Sequence, residues 1–217
     1  MTLELVRSLE QKNRRRQRIP QWRVRQFENF VIALNAAAFE LERARHEGRT
    51  ATLAWAARNS LELSIWTAYC CASAQNAKRF KDDTKRDTFG MIASVKRVVK
   101  TPEQRQEVDT ILQSVEKMLN TRSFKVSDDF RRVGEAAAEL GREGEFLGLN
   151  KFFSKMAHPT AFVVNRKKKI VFDKPFQAAI FIIGVGLAFE SMVTLTDFVE
   201  NTFPDPSLKR QLNKSRP

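Results

Sequence analysis

Cysteine is nearly absent, and its placement excludes the usual uses of the residue. The two cysteines present, Cys70 and Cys71, are neighbours. Adjacent cysteines do not readily close an ordinary disulfide, and nothing spaces Cys with His for zinc. Both read as reduced core residues, the expectation for a cytoplasmic protein without a structural metal. Histidine is equally scarce: His46 and His158 leave few general bases. Glycine (8) and proline (7) are few, while Ala, Leu, Glu, Arg and Lys abound, so helix is favoured over sheet. No glycine-rich phosphate loop occurs, because Gly184-Val185-Gly186 lies inside an apolar helical run rather than after a strand. No organic cofactor motif, internal repeat or low-complexity segment stands out. The stretch 1–9 runs into basic residues rather than a cleavage site, so no secretory signal is expected. The apolar run 178–189 is short beside the roughly 20 residues of a membrane span. No transmembrane segment is expected, and the run reads as a buried bundle helix.

What is abundant is positive charge. Thirty-eight Lys and Arg face 25 Asp and Glu, a net charge of +13 over 217 residues. Such a balance favours polyanionic partners, RNA or another nucleic acid first and an anionic membrane surface second. The length fits one domain with tails: a basic arm over 1–19, a helical domain over 20–203, and a basic tail over 204–217. In the first 25 residues Arg7, Lys12, Arg14, Arg15, Arg16, Arg18, Arg23 and Arg25 face only Glu4 and Glu10. A block of this kind can track phosphates or stand as a solvated helical arm.

Along the chain, apolar spacing and cap residues predict an all-α bundle of about six to seven helices. The first covers 20–47, with Pro20 in its first turn and Gly48 at its stop. A second, nearly apolar all round, covers 50–78 and belongs in the middle of the bundle. A charged connection over 79–89 precedes a helix over 88–99. Thr101-Pro102-Glu103-Gln104 opens the next, to about residue 120. Ser127-Asp128-Asp129 signals another, ending at Gly141. One more leads to His158. Two β-branched runs, 162–164 and 170–172, flank a basic turn and predict a small β-hairpin before the last long helix, 173–201. The hairpin tip carries Arg166, Lys167, Lys168 and Lys169, a second candidate phosphate contact.

The stretch 150–160 is the most informative. At about 100° per residue it divides cleanly. Leu149, Phe152, Phe153 and Met156 fall on one side, and Lys151, Ser154, Lys155 and His158 on the other. An imidazole thus shares a face with two ammonium groups and a hydroxyl, at a helix end closed by Pro159. The same pattern describes a plain helix end with its polar face in solvent. On the central helix Arg58 and Glu62 are one turn apart and can pair. They lie in one stripe with Trp55, Trp66 and Tyr69, either as an internal ion pair or as the lining of a polar pocket.

Arg58-Asn59-Ser60-Leu61-Glu62-Leu63 and the later Ser154-x-x-x-His158-Pro159-Thr160 resemble a family of uncharacterised bacterial helical proteins. More remotely the chain resembles the HEPN superfamily of helical bundles, which includes abortive-infection and toxin ribonucleases. The likeness covers about residues 50–200 and leaves out the basic arm. It implies metal-independent action on RNA, a homodimer and, for a toxin, a neutralising protein partner. Active members carry Arg, four to six residues, then His. Here the offsets of five, six and seven before His158 hold Phe153, Phe152 and Lys151. Lysine keeps the charge but lacks the planar fork that grips phosphate. By this resemblance His158 would be the acid or base, with Lys151 and Ser154 beside it. Lys155, Arg58, Glu62 and Tyr69 would form the surrounding pocket. From the charge pattern, independently of this likeness, Arg14, Arg15, Arg16, Lys167, Lys168 and Lys169 are the candidate nucleic-acid contacts.

Overall fold

The computed structural model describes residues 2–16, 18–98, 101–118, 131–158, 160, 163–165 and 173–204. Eight named helices run through them: α1 (Thr2–Arg16), α2 (Gln21–His46), α3 (Thr50–Ala72), α4 (Ala74–Val98), α5 (Pro102–Met118), α6 (Val133–Glu139), α7 (Glu143–Ala157) and α8 (Lys174–Thr202). The architecture is all-α, as the composition predicts. The extra helix is the basic arm itself. It folds as α1 and packs on α2, with Leu9 only 1% exposed.

α3 is the hub. It packs against α2, α4, α6, α7 and α8, and Leu53, Ala54, Ala57, Leu61 and Ile65 are fully buried. Such all-round burial requires its polar residues to be satisfied locally. The Ser60 hydroxyl donates to the Ala56 carbonyl at 3.2 Å, and that of Ser64 to the Leu61 carbonyl at 2.9 Å. α8 crosses α3 and α2 at Gly184, where a Cβ would lie 2.8 Å from Leu41 Cδ2 and 3.1 Å from Ala57 Cβ. Gly186 meets nothing within 4 Å and serves no such approach.

Three expectations need correction. The second helix does not run to 78. Ser73 adopts φ −154°, ψ 158°, and its hydroxyl accepts from the Asn76 N–H at 3.0 Å, ending α3 and capping α4. The stretch 79–89 is then helix, not connection. Phe80 anchors it, stacking 5.4 Å from Phe30 and 4.7 Å from Trp66. No hairpin is seen among the described residues, and its second run, 170–172, lies outside them. Val163–Asn165 make a helical turn, because the Thr160 hydroxyl accepts from the Val163 N–H at 3.4 Å and the Val164 N–H donates to the Thr160 carbonyl at 2.9 Å. A local cap thus overrides the β-branched pattern. Lys167, Lys168 and Lys169, like 127–129 and the tail from 205, lie outside the described residues.

α8 is only partly the buried helix expected from its sequence. Ile180, Leu187, Leu195 and Val199 face the core, whereas Ile182 (68%), Phe189 (63%) and Val193 (42%) are exposed. Among the described residues it is the one helix long and apolar enough to cross a membrane.

Candidate functional site

α7 begins after Gly141, whose φ of 71° ends the preceding turn, and presents the predicted polar face. Lys151, Lys155 and His158 are exposed, and Ser154 is half-buried. One turn before Ser154, the Asn150 side-chain carbonyl accepts from Arg58 Nε at 2.9 Å. Arg58 Nη2 also meets Glu62 Oε1 at 2.9 Å, both side chains about one-third exposed (33% and 32%). Arg58 therefore contacts α7 at Asn150, one turn before the Ser154–His158 motif. His158 caps α7: its N–H donates to the Ser154 carbonyl at 3.2 Å, and its carbonyl accepts from the Thr160 N–H at 2.7 Å. The Thr160 hydroxyl donates to the Lys155 carbonyl at 3.1 Å. This Ser-to-Thr segment is a structural corner. None of the five surface grooves described for the molecule is lined by Lys151, Ser154, Lys155 or His158.

Tyr69 does not join Arg58. It sits eleven residues further along α3, about 16 Å at 1.5 Å per residue. It is fully buried. Burial pushes its phenol up, and the Arg79 guanidinium beside it pulls the other way. Glu62, by contrast, lines a groove of about 370 Å³ with Trp55, Asn59 and Trp66.

The basic arm is built more firmly than its sequence shows. The α1–α2 elbow closes on Asn13, 7% exposed. Its amide donates to the Ile19 carbonyl at 3.0 Å and accepts from the Ile19 N–H at 3.1 Å. That reciprocal pair leaves Arg14 and Arg18 lining one groove of about 620 Å³ with Pro20 and Gln21. Arg18 Nη1 also donates to the Thr202 carbonyl at 2.8 Å, at the negative end of α8. Arg14 and Arg18 are exposed. The side chains of Arg15 and Arg16 lie outside those described.

Gln21 belongs to a second groove as well, about 570 Å³ between α2, α3 and α4. Trp22, Phe30, Phe80 and Leu63 form its apolar walls, with Arg25 and Lys81 at its edge. Lys81 Nζ lies 5.0 Å from the Trp22 ring centre. Gln26 reaches this groove from α2 and is 8% exposed. Its Nε2 donates to the Ala77 carbonyl at 3.1 Å, and its Oε1 is buried with no partner among the described residues. Sequence reading missed this groove, because its walls come from three helices. The one available signal was Trp22 beside the arginine block.

Next to it, Arg23 Nη2 donates to the Cys70 carbonyl at 3.1 Å, and its guanidinium lies over Phe198 at 4.7 Å. Burial lowers the arginine pKa and pushes the Cys71 thiol up to about 12, with Cys70 shifted the same way. Among the described residues no group of three His, Cys, Asp or Glu is placed to hold a metal ion. Comparison of the chain with protein-family models, with curated proteins and with solved structures gives no match.

Proposed function

We propose that this chain is a HEPN-like cytoplasmic helical bundle that binds single-stranded RNA along the α1–α2 elbow. The supporting observation is the groove at the elbow that Asn13 closes on Ile19, which Arg14 and Arg18 both line. Guanidinium groups at a fixed spacing meet successive phosphates and release their counterions. The net charge of +13 adds long-range attraction. Binding at the elbow needs no chemical step. Anisotropy of a labelled single-stranded RNA should show salt-sensitive binding that weakens in Arg14→Ala and Arg18→Ala and persists in His158→Ala.

A second reading is a metal-independent ribonuclease of bacterial defence or toxin type. The Arg58–Asn150 hydrogen bond favours it, because it sets the Arg-x-x-x-Glu helix against the helix that carries Lys151, Ser154 and His158. In this reading His158 takes the proton of the ribose 2′-OH or protonates the leaving oxygen. Lys151 and Lys155 offset the charge on the phosphorane. A homodimer and a neutralising partner protein belong to it. RNA cleavage and growth arrest that are unchanged in His158→Ala would remove it.

A further inference from the structure

We infer that the groove between α2, α3 and α4 takes one unpaired base of a single-stranded RNA. The inference rests on the elbow reading and adds the base to the phosphate. Three observations carry it. The groove adjoins the Arg14–Arg18 groove, since Gln21 lines both. A chain whose phosphates follow the elbow therefore arrives at Trp22 with its next nucleotide. The walls are aromatic and aliphatic, Trp22, Phe30, Phe80 and Leu63, enclosing about 570 Å³. Flat ring systems stack on such walls whatever the base. The third observation is the rim, where Arg25 and Lys81 are exposed cations.

Gln26 closes the groove from α2, its Nε2 donating to the Ala77 carbonyl at 3.1 Å. A purely apolar occupant would fill the walls but leave the rim cations unmatched. At the edge, Lys81 and Arg25 are exposed cations suited to the phosphate of the bound nucleotide. The site thus combines a stacking surface with rim charge, which is the chemistry of a nucleotide.

The test compares a short oligoadenylate with an abasic ribose–phosphate chain of equal length and charge, on the whole protein. Base stacking predicts that the oligoadenylate binds about tenfold tighter. Trp22→Ala removes a wall. Ala33→Phe fills the groove from α2 without deleting anything. Each should bring oligoadenylate down to the abasic level and leave abasic binding unchanged. Circular dichroism confirms that Ala33→Phe is folded. Equal affinity of the two chains for the native protein overturns the inference, as does a tenfold preference that persists in folded Ala33→Phe. Titration with AMP alone separates the two claims. AMP bound by native protein and lost in Ala33→Phe supports the groove even if chain binding ignores Arg14, a result that sinks only the elbow. Chain binding that needs Arg14 but ignores the bases sinks only the groove.

Discussion

Arg58 Nε and Asn150 Oδ1 are joined at 2.9 Å, which fastens α3 to α7 one turn before Ser154. Arg58 has Glu62 as its second partner at 2.9 Å. Removing Asn150 leaves a partly buried guanidinium short of one acceptor. Asn150→Ala should therefore lower stability by about 1 kcal/mol, a fall of about 2–4 °C in Tm for a chain of this size. Thermal unfolding followed by circular dichroism measures it. No change would mean that solvent replaces Asn150 without loss.

Gly184 and Gly186 look alike in sequence and differ in space. A Cβ at 184 would come within 2.8 Å of Leu41 Cδ2 and 3.1 Å of Ala57 Cβ, whereas one at 186 would meet nothing within 4 Å. Gly184→Ala should cost about 1–3 kcal/mol through overpacking. Gly186→Ala should instead gain up to about 1 kcal/mol from helix propensity. Urea unfolding of both variants tests the pair. Equal effects would contradict the close crossing of α8.

The thiols supply an alkaline prediction. Burial raises Cys71 from its ordinary 9.0 to about 12, and moves Cys70 in the same direction. The folded chain thus keeps protons that the unfolded chain releases above the ordinary value. Stability should fall as pH rises from about 9 toward 12. At neutral pH a thiol reagent should label the buried Cys70 slowly in the native protein and quickly in urea. Fast native labelling of Cys70 would contradict its burial.

Glu28 links α2 to α1. Burial raises its carboxyl pKa, and Glu10 adds a hydrogen bond and like charge in the same direction, opposed by Arg25. A raised carboxyl pKa means that the folded form holds its proton longer, so this contribution weakens as pH rises past the ordinary 4.5. Amide exchange in α1 should be slower at mildly acid pH than at neutrality, after correction for intrinsic rates. Glu28→Gln should abolish that difference.

The helices were legible because their ends carry cap chemistry. Thr101 accepts from the Gln104 N–H at 3.3 Å and Asp173 from the Phe176 N–H at 3.0 Å, as their positions before Pro102 and Pro175 predict. Ser73 was not legible, because Ala-Ser-Ala interrupts no apolar period and its break appears only in the backbone angles. Val163 and Val164 were misread because β-branching was weighed without the cap from Thr160. The polar face of α7 was legible as a pattern, whereas its hydrogen bond to Arg58 was not. Asn150, which makes the contact, carried no signal beyond its place in the stretch. The arginine block was legible as charge. Its geometry was not, because Asn13 closing on Ile19 is a contact between chain segments rather than a pattern within one. The grooves at Trp22 and Glu62 depend on three helices and two helices meeting, which one sequence does not specify.

The most direct test of the elbow is the salt dependence of RNA binding. Each phosphate contact to a single strand contributes about 0.7 to the slope of log K against log salt. Loss of Arg14 and Arg18 together should reduce that slope by about 1.4 and weaken binding at low salt. Neutralising Lys151 and Lys155 should leave it near the native value. An unchanged slope in the Arg14→Ala, Arg18→Ala protein, with its fold intact, would contradict the proposal that this elbow holds RNA.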